Sequence, residues 1–338
     1  MPIGGEIRCA PGGSASGLSL SRFRVSFAAE EALDVPHYLG STLRGAFGNA
    51  FRAVACLAPR GLRCPAPAQC PYHLVFETSP PPDADALRTH EEIPRPFVIA
   101  PADPPGAFNG QGRRQFEPGD EVSVELVLVG RARDFFPYFV VALREVGRIG
   151  RGRRAVELAR IEALGADGRC SHVAYEAEDH LVRGTAPIIT LGDGGGAPAH
   201  GGTLTVEFLT QTRLKHEGRF VRRPDFQILF RRLLGRLSSL SRFHCGAALD
   251  VDFRGLIEQA GSVRLLRDET RWTRWQRYSS RQDRRMEWEG IVGRACYAGD
   301  FTPFWPFLRF GELVHVGHGA TFGLGKYQLL TAQAVDTR

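Results

Sequence analysis

"GDGGGAPAHGGTLTVEFLTQTRL", residues 192–214, holds the break on which the fold of this chain turns. Its first part, 192–202, is rich in glycine and reads as a linker. Its second part, 203–214, alternates apolar and polar residues as a half-buried strand does. "RPDFQILFRRLLGRLSSLSRFH" (223–244) then carries a helical pattern, and strand-like segments follow.

The same order stands upstream of the linker. "LSLSRFRVSFAAE" (18–30) reads as a strand, and "VPHYLGSTLRGAFGNAFRAVAC" (35–56) as a helix with Leu43, Phe47, Ala50 and Val54 at helical spacing. Asp34 and Pro36 suit a turn and helix entry. "YHLVFET" (72–78) and "RPFVIAP" (95–101) read as short strands, "EVSVELVLVG" (121–130) as a strictly alternating one, and "DFFPYFVVALREVGRIG" (134–150) as a helix. Two more strands are expected around 154–163 and 172–181. Each half therefore opens strand–helix–strand, which predicts an α+β fold of two tandem ferredoxin-like (βαββαβ, RRM-like) domains. The expected boundaries are a disordered lead at 1–17, an N-terminal domain at 18–191, the linker, and a C-terminal domain at 203–338 with a glycine-rich loop at 317–325.

Composition agrees with two domains, because 338 residues at 43% hydrophobic content can bury a sizeable core. The formal charge of +6 rests mostly on arginine, whose planar guanidinium suits phosphate. A polyanion is a plausible partner on that ground. No run of about 18 apolar residues predicts a membrane helix, and the opening "MPIGGEIRCAPGGSASG" lacks the apolar core of a signal peptide. The seven cysteines are an odd number, which favours a reducing cytoplasm and metal over disulfides wherever thiols cluster.

Three segments carry chemistry. "HVGHGATFGLGKYQ" (315–328) places Gly317, Gly319, Gly323 and Gly325 beside His318 and Lys326. Bare N–H groups in such a loop can bind phosphate oxygens. The loop is not a P-loop, since Tyr327 follows the lysine, nor does it match a dinucleotide fingerprint. "RWTRWQRYSSRQDRRMEWEG" (271–290) interleaves Arg271, Arg274, Arg277, Arg281, Arg284 and Arg285 with Trp272, Trp275, Tyr278 and Trp288. That mixture suits unpaired RNA, where guanidinium and indole faces stack on bases. "CLAPRGLRCPAPAQCPYH" brings Cys56, Cys64, Cys70 and His73, a set able to hold a structural zinc ion although its spacing matches no standard finger.

The stretch "YSSRQDRRMEWEGIVGRACYAGDFTPFWPFLRFGELVHVGHGATFGLGKYQL" resembles the C-terminal half of the CRISPR-associated pre-crRNA-processing endoribonucleases of the RAMP superfamily. Ser280-Arg281-Gln282, Met286, Gly290, Gly293, Tyr297-Ala298-Gly299-Asp300, "PFLRFGELVHVG" and "TFGLGKY" carry the likeness, and "HYLGSTLRGAFGNAFR" resembles the family's first helix. The resemblance implies two ferredoxin-like domains gripping a CRISPR repeat RNA, with the glycine-rich loop against the RNA. It also implies metal-independent cleavage: the 2′-OH attacks the adjacent phosphorus, leaving a 2′,3′-cyclic phosphate and a 5′-OH, and mature guide RNA is the product.

On that reading His37 is the candidate general base, Tyr38 a group that orients phosphate, and Arg44 a cation on the scissile phosphate. The RNA-binding set is Arg52, Arg274, Arg277, Arg281, Arg284, Arg285, Gly317, His318, Gly319, Gly323, Gly325 and Lys326. Catalysis would need no cofactor, and no membrane is involved. Asn49 stands where related proteins often place a histidine, and an amide cannot take the 2′-OH proton at neutral pH. The alternative is therefore a catalytically weak or inactive subunit that holds repeat RNA beside other subunits of a CRISPR effector complex.

Overall fold

A computed structural model describes residues 17–36, 38–59, 62–78, 93–102, 112–150, 152–193, 195, 202–279 and 284–331. Side chains at 275–279 and 284–287 lie outside that description, as do the lead before Gly17 and most of the linker.

The first half contains β1 (Ser19–Ala29), β2 (Leu33–Pro36), α1 (Gly40–Ala55), α2 (Pro71–Phe76), β3 (Phe97–Pro101), β4 (Arg113–Phe116), β5 (Glu121–Val129), α3 (Phe136–Arg144), β6 (Arg148–Ile149), β7 (Arg154–Leu164), β8 (Cys170–Glu176) and β9 (Ile189–Thr190). The second contains β10 (Thr203–Thr212), β11 (Lys215–His216), β12 (Arg219–Phe220), α4 (Phe226–His244), α5 (Phe253–Ala260), β13 (Arg264–Ser279), β14 (Arg284–Ala298), α6 (Trp305–Val314) and β15 (Tyr327–Thr331). Strand order is β3-β5-β1-β7 in one sheet and β13-β14-β10-β15 in the other. Numbered within each βαββαβ unit, both read 2-3-1-4, and neighbouring strands run antiparallel. The chain is two ferredoxin-like units in tandem.

Local chemistry explains the elements. In β1, Phe23, Val25 and Phe27 point to the helix side, while Leu18 and Leu20 join a second core shared with the other half. In α1 the buried stripe is Leu43, Phe47, Phe51 and Ala55, one residue per turn. Ala50 and Val54 are only half-buried, because this stripe is centred about 50° around the helix from the expected one. Phe47 meets the rings of Phe51, Phe76 and Phe139 at 5.3–5.7 Å.

Three expectations fail for physical reasons. Residues 33–36 form β2, paired with β4, because Leu33 and Val35 alternate inward and the residue before a proline is pushed extended. The helix accordingly starts at Gly40. Residues 72–78 form no strand: Pro71 sits in the first helical turn, and the buried Tyr72, Val75 and Phe76 have helical spacing. The 134–150 helix shrinks to 136–144, since a 3₁₀ turn at Gly130–Phe135 precedes it and β6 follows.

The halves share apolar surface. Val98, Ala100, Val127 and Val129 from the first sheet pack in one cluster with Leu229, Phe230 and Leu233 of α4. No described helix is long and apolar enough to cross a membrane.

Candidate nucleic-acid interface

The glycine-rich loop is the seam between the halves. It leaves α6 at His315, which adopts φ 63° and ψ 172°, and returns into β15. Val316 donates its N–H to the Gly325 carbonyl at 3.0 Å, and Gly325 donates to the Gln211 carbonyl at 3.1 Å. A side chain at Gly325 (φ 70°) would overlap the Val316 carbonyl, and one at Gly323 (φ 82°) would press to 2.9 Å on Ala100 of β3. Just before Gly323 a 3₁₀ turn, Ala320–Phe322, inserts against β3 and α1. Gly40, the first residue of α1, lets the Phe322 carbonyl approach.

The expectation that all four glycines offer bare backbone to RNA is corrected here. Gly323 and Gly325 are buried against protein, and their absent side chains make room for neighbouring main chain. Gly317 and Gly319 are half-buried, and His318 is exposed. The His318 ring meets Phe220 edge-on at 5.5 Å, and its backbone N–H donates to the Arg213 carbonyl at 3.3 Å.

Tyr38 is fully buried, and its hydroxyl donates to the Phe322 carbonyl at 2.6 Å. Burial raises its pKa well above the ordinary phenol value. A hydroxyl so enclosed pins the loop to α1 and does not reach a phosphate. Lys326 is likewise turned inward: its Nζ lies 3.5 Å from Glu125 of β5, both with little exposure. Arg22 makes a two-pronged contact with the same carboxylate, at 2.6 and 3.2 Å. Burial alone would raise the Glu125 pKa, but Lys326 and Arg22 together lower it to about 2. Lys326 thus ties β15 to β5 across the seam.

Arg44 is placed differently. Its guanidinium stands 5.1 Å from the Phe76 ring and 4.9 Å from the Phe322 ring. Trp288 of β14 meets Phe322 edge-on at 5.0 Å. Helix α1, the loop and β14 therefore converge on Phe322, with one cation at the junction. Arg52, two turns along α1, lies over Tyr72 at 5.6 Å. Asn49 is exposed on the same helix. His37 lies outside the described residues.

Residues 271–279 and 284–290 pair as the antiparallel strands β13 and β14. Arg274 is exposed and paired with Glu289 at 3.2 Å. Trp288 is buried and Trp272 half-buried with its Nε1 donating to Glu289 at 3.3 Å, so the described indoles serve the protein's own packing. The side chains of Arg277, Arg284 and Arg285, and all of Arg281, lie outside the described residues.

Sequence reasoning missed a basic hairpin beside His318. β11 and β12 turn through Glu217 (φ 47°) and Gly218 (φ 80°), the two positive φ values a tight hairpin requires. Arg213 covers Phe220 at 4.2 Å, Arg222 covers Trp272 at 5.2 Å, and Arg219 and Arg222 are exposed. The signal was present in "RLKHEGRFVRR" (213–223), where cations flank a Glu-Gly turn.

Cys56, Cys64 and Cys70 come together, their sulfurs all within 4.8 Å of one another. His73 is not among them; its Nε2 lies 3.7 Å from the Glu77 carboxylate.

Two family models cover most of the chain. AF_1859_N, described as an N-terminal domain, matches residues 18–187. The model of the CRISPR-associated endoribonuclease Cas6 matches residues 206–327. Among solved structures the fold is similar to a Cas6 product complex, with TM-score 0.55 and 17% identity over 92% of this chain and 100% of that one. Cas6 of Thermus thermophilus is similar at TM-score 0.53 and 17% identity, over 94% of this chain and 100% of that one. A partial Cas6-RT-Cas1–Cas2 complex is similar at TM-score 0.53 and 14% identity, over 94% of this chain and 47% of that one. No curated relative matches. At such identities the structural likeness is one of fold, and that fold is the tandem ferredoxin-like one.

Proposed function

We propose that this chain, whose residues 206–327 match the model of the CRISPR-associated endoribonuclease Cas6, binds CRISPR repeat RNA at the seam between its halves and cleaves it without a metal ion. The observation that carries this reading is the junction at Phe322, where α1, the glycine-rich loop and β14 bring Arg44, Phe322 and Trp288 together. The exposed Arg219 and Arg222 extend positive charge along the second half, with the exposed His318 beside their hairpin. A product complex of a Cas6 with the same fold supports the same assignment of partner.

The chemistry needs three things. A base takes the 2′-OH proton as the oxygen attacks phosphorus in line, a cation meets the charge growing on the non-bridging oxygens, and the departing 5′-oxygen receives a proton. The product is a 2′,3′-cyclic phosphate with a free 5′-OH. Arg44 is the cation. His37 is the base, adjoining Pro36 at the end of β2 and Tyr38, whose hydroxyl is held by Phe322. Imidazole titrates in the range such a step requires. Tyr38 acts by fixing the loop. Mature guide RNA is the product, and other CRISPR effector subunits are its expected recipients.

The test is cleavage of repeat RNA in EDTA, alongside the same RNA with 2′-deoxyribose at the scissile position. Only the first is cut; cutting of the second sinks the mechanism. Arg44→Ala lowers the cleavage rate about 10²-fold, and His37→Ala abolishes cleavage while leaving binding. Arg281→Ala and Arg285→Ala each reduce the salt dependence of binding, by about one unit of slope for every phosphate left without its cation. Tight binding with no cutting by the intact chain selects the second reading, a binding subunit, which the exposed amide of Asn49 favours.

A further inference from the structure

We propose that Cys56, Cys64 and Cys70 bind one zinc ion, which staples the loop between α1 and α2 to the ends of both helices. The loop is otherwise almost unanchored. Of its described residues between 57 and 69, all are exposed except Ala58 and Cys64. Leu57 is 98% and Leu62 65% exposed, so its two leucines bury little. Its internal hydrogen bonds are local turns: Leu62 to Pro59, Gln69 to Ala66 and Cys70 to Ala66. Ordering such a segment costs about 1–2 kcal/mol per residue, and neither core burial nor a sheet offsets that here.

The chain nevertheless turns inward at one point, and that point is a thiol. Cys64 and Cys56 pack against the first core, and Cys70 is buried beneath them. Cys56 is the C-cap of α1, and Cys70 precedes Pro71 at the start of α2. Three sulfurs within 4.8 Å need to close only slightly to form one face of a tetrahedron, since zinc–thiolate bonds of about 2.3 Å set the sulfurs nearly 4 Å apart. A disulfide cannot use this triad, because pairing two thiols strands the third.

Three thiolates select a d¹⁰ ion of borderline softness over magnesium or calcium, which take oxygen ligands. The fourth position falls to His73, one turn along α2 from Cys70. Its Nε2 lies 3.7 Å from Glu77, longer than a hydrogen bond, and the ring would have to turn toward the three sulfurs to bind. The ion would hold α2 in place, and α2 carries the Phe76 ring that lies under Arg44. Its role is structural, so metal content and RNA cleavage test separate claims.

The experiment is zinc analysis of the full chain after zinc loading under reducing conditions and exhaustive dialysis. About one equivalent is expected, falling below about a tenth in Cys64→Ser and in Cys70→Ser, while Cys170→Ser retains it. Cobalt substitution of the unaltered chain gives a second readout that needs no variant: a strong thiolate-to-cobalt absorption, intense enough for three thiolates. Chelation lowers the thermal midpoint by several degrees, and zinc restores it. Less than about a tenth of an equivalent in the loaded wild-type chain, or no thiolate-to-cobalt band, overturns the site. Full zinc retention by both variants does so as well.

Discussion

The two halves share one topology and use it differently. The β3 and β5 strands of the first sheet are covered on both faces: Phe97, Ile99, Leu126 and Leu128 lie in the core with α1 and α3, while Val98, Ala100, Val127 and Val129 lie in the core of the second half. The second sheet buries one face under α4 and α6. Its other face carries Thr205, Glu207 and Leu209 half-exposed, with Glu207 bound to Arg294 at 2.9 Å and to Gln328. Strands packed on both sides offer a partner no open face. Basic hairpins and polar surface therefore gather on the second half, and the first half contributes its helix α1 to the junction.

If the seam makes the halves one body, the loop glycines are where it breaks most easily. Gly325→Ala places a methyl group onto the Val316 carbonyl at a backbone conformation costly for alanine. A loss of about 3–5 kcal/mol is expected, and chemical denaturation should then resolve two transitions where the wild type shows one. A single transition at an unchanged midpoint would mean that the halves do not depend on this loop.

Acid should loosen the same seam. His315 is buried, and burial, reinforced by Lys326, lowers its pKa to about 3. His244, whose Nε2–H donates to the Pro94 carbonyl at 2.7 Å, is lowered by burial to about 4. Both are neutral when folded and bind a proton near pH 6.5 when unfolded. The unfolded state therefore takes up more protons, and stability falls as pH drops below that value. Each histidine contributes a loss of about 2 kcal/mol between pH 7 and pH 5. Glu125 works in a lower window, its stabilisation lost as pH falls from the ordinary carboxylate range toward 2. Thermal midpoints across pH 5–7 check this, and His244→Gln, which keeps an N–H donor, should remove about half of the slope.

The smallest effect is at Tyr38→Phe, which removes the hydroxyl that donates to the Phe322 carbonyl and keeps the buried ring. Stability falls by about 1–2 kcal/mol, and repeat-RNA affinity changes less than in Arg44→Ala. Equal losses of affinity from the two variants would return a direct RNA contact to Tyr38.

Much of the fold was legible because periodicity is a local property. The alternation in β1, β5 and β10 and the stripe in α4 mark those elements wherever they come to lie. "YHLVF" misled because five mostly apolar residues fit either period, and Pro71 decided for the helix. Within the candidate site, the coming together of the three cysteines was readable from residue type, while Arg44 was singled out by the family likeness. Tyr38, Lys326, Gly323 and Gly325 carried the same apparent chemistry, yet their partners Phe322, Glu125, Ala100 and Val316 sit mostly in other segments of the chain.

The amino-acid sequence alone thus determined the strand–helix rhythm and the family likeness, which depend on neighbours along the chain, and the excess of guanidinium, which depends on composition. Tertiary packing alone decided which polar groups meet solvent and which hold the halves together. A side chain's availability is set by what folds over it, and for Tyr38 and Lys326 that cover comes from residues far away in sequence.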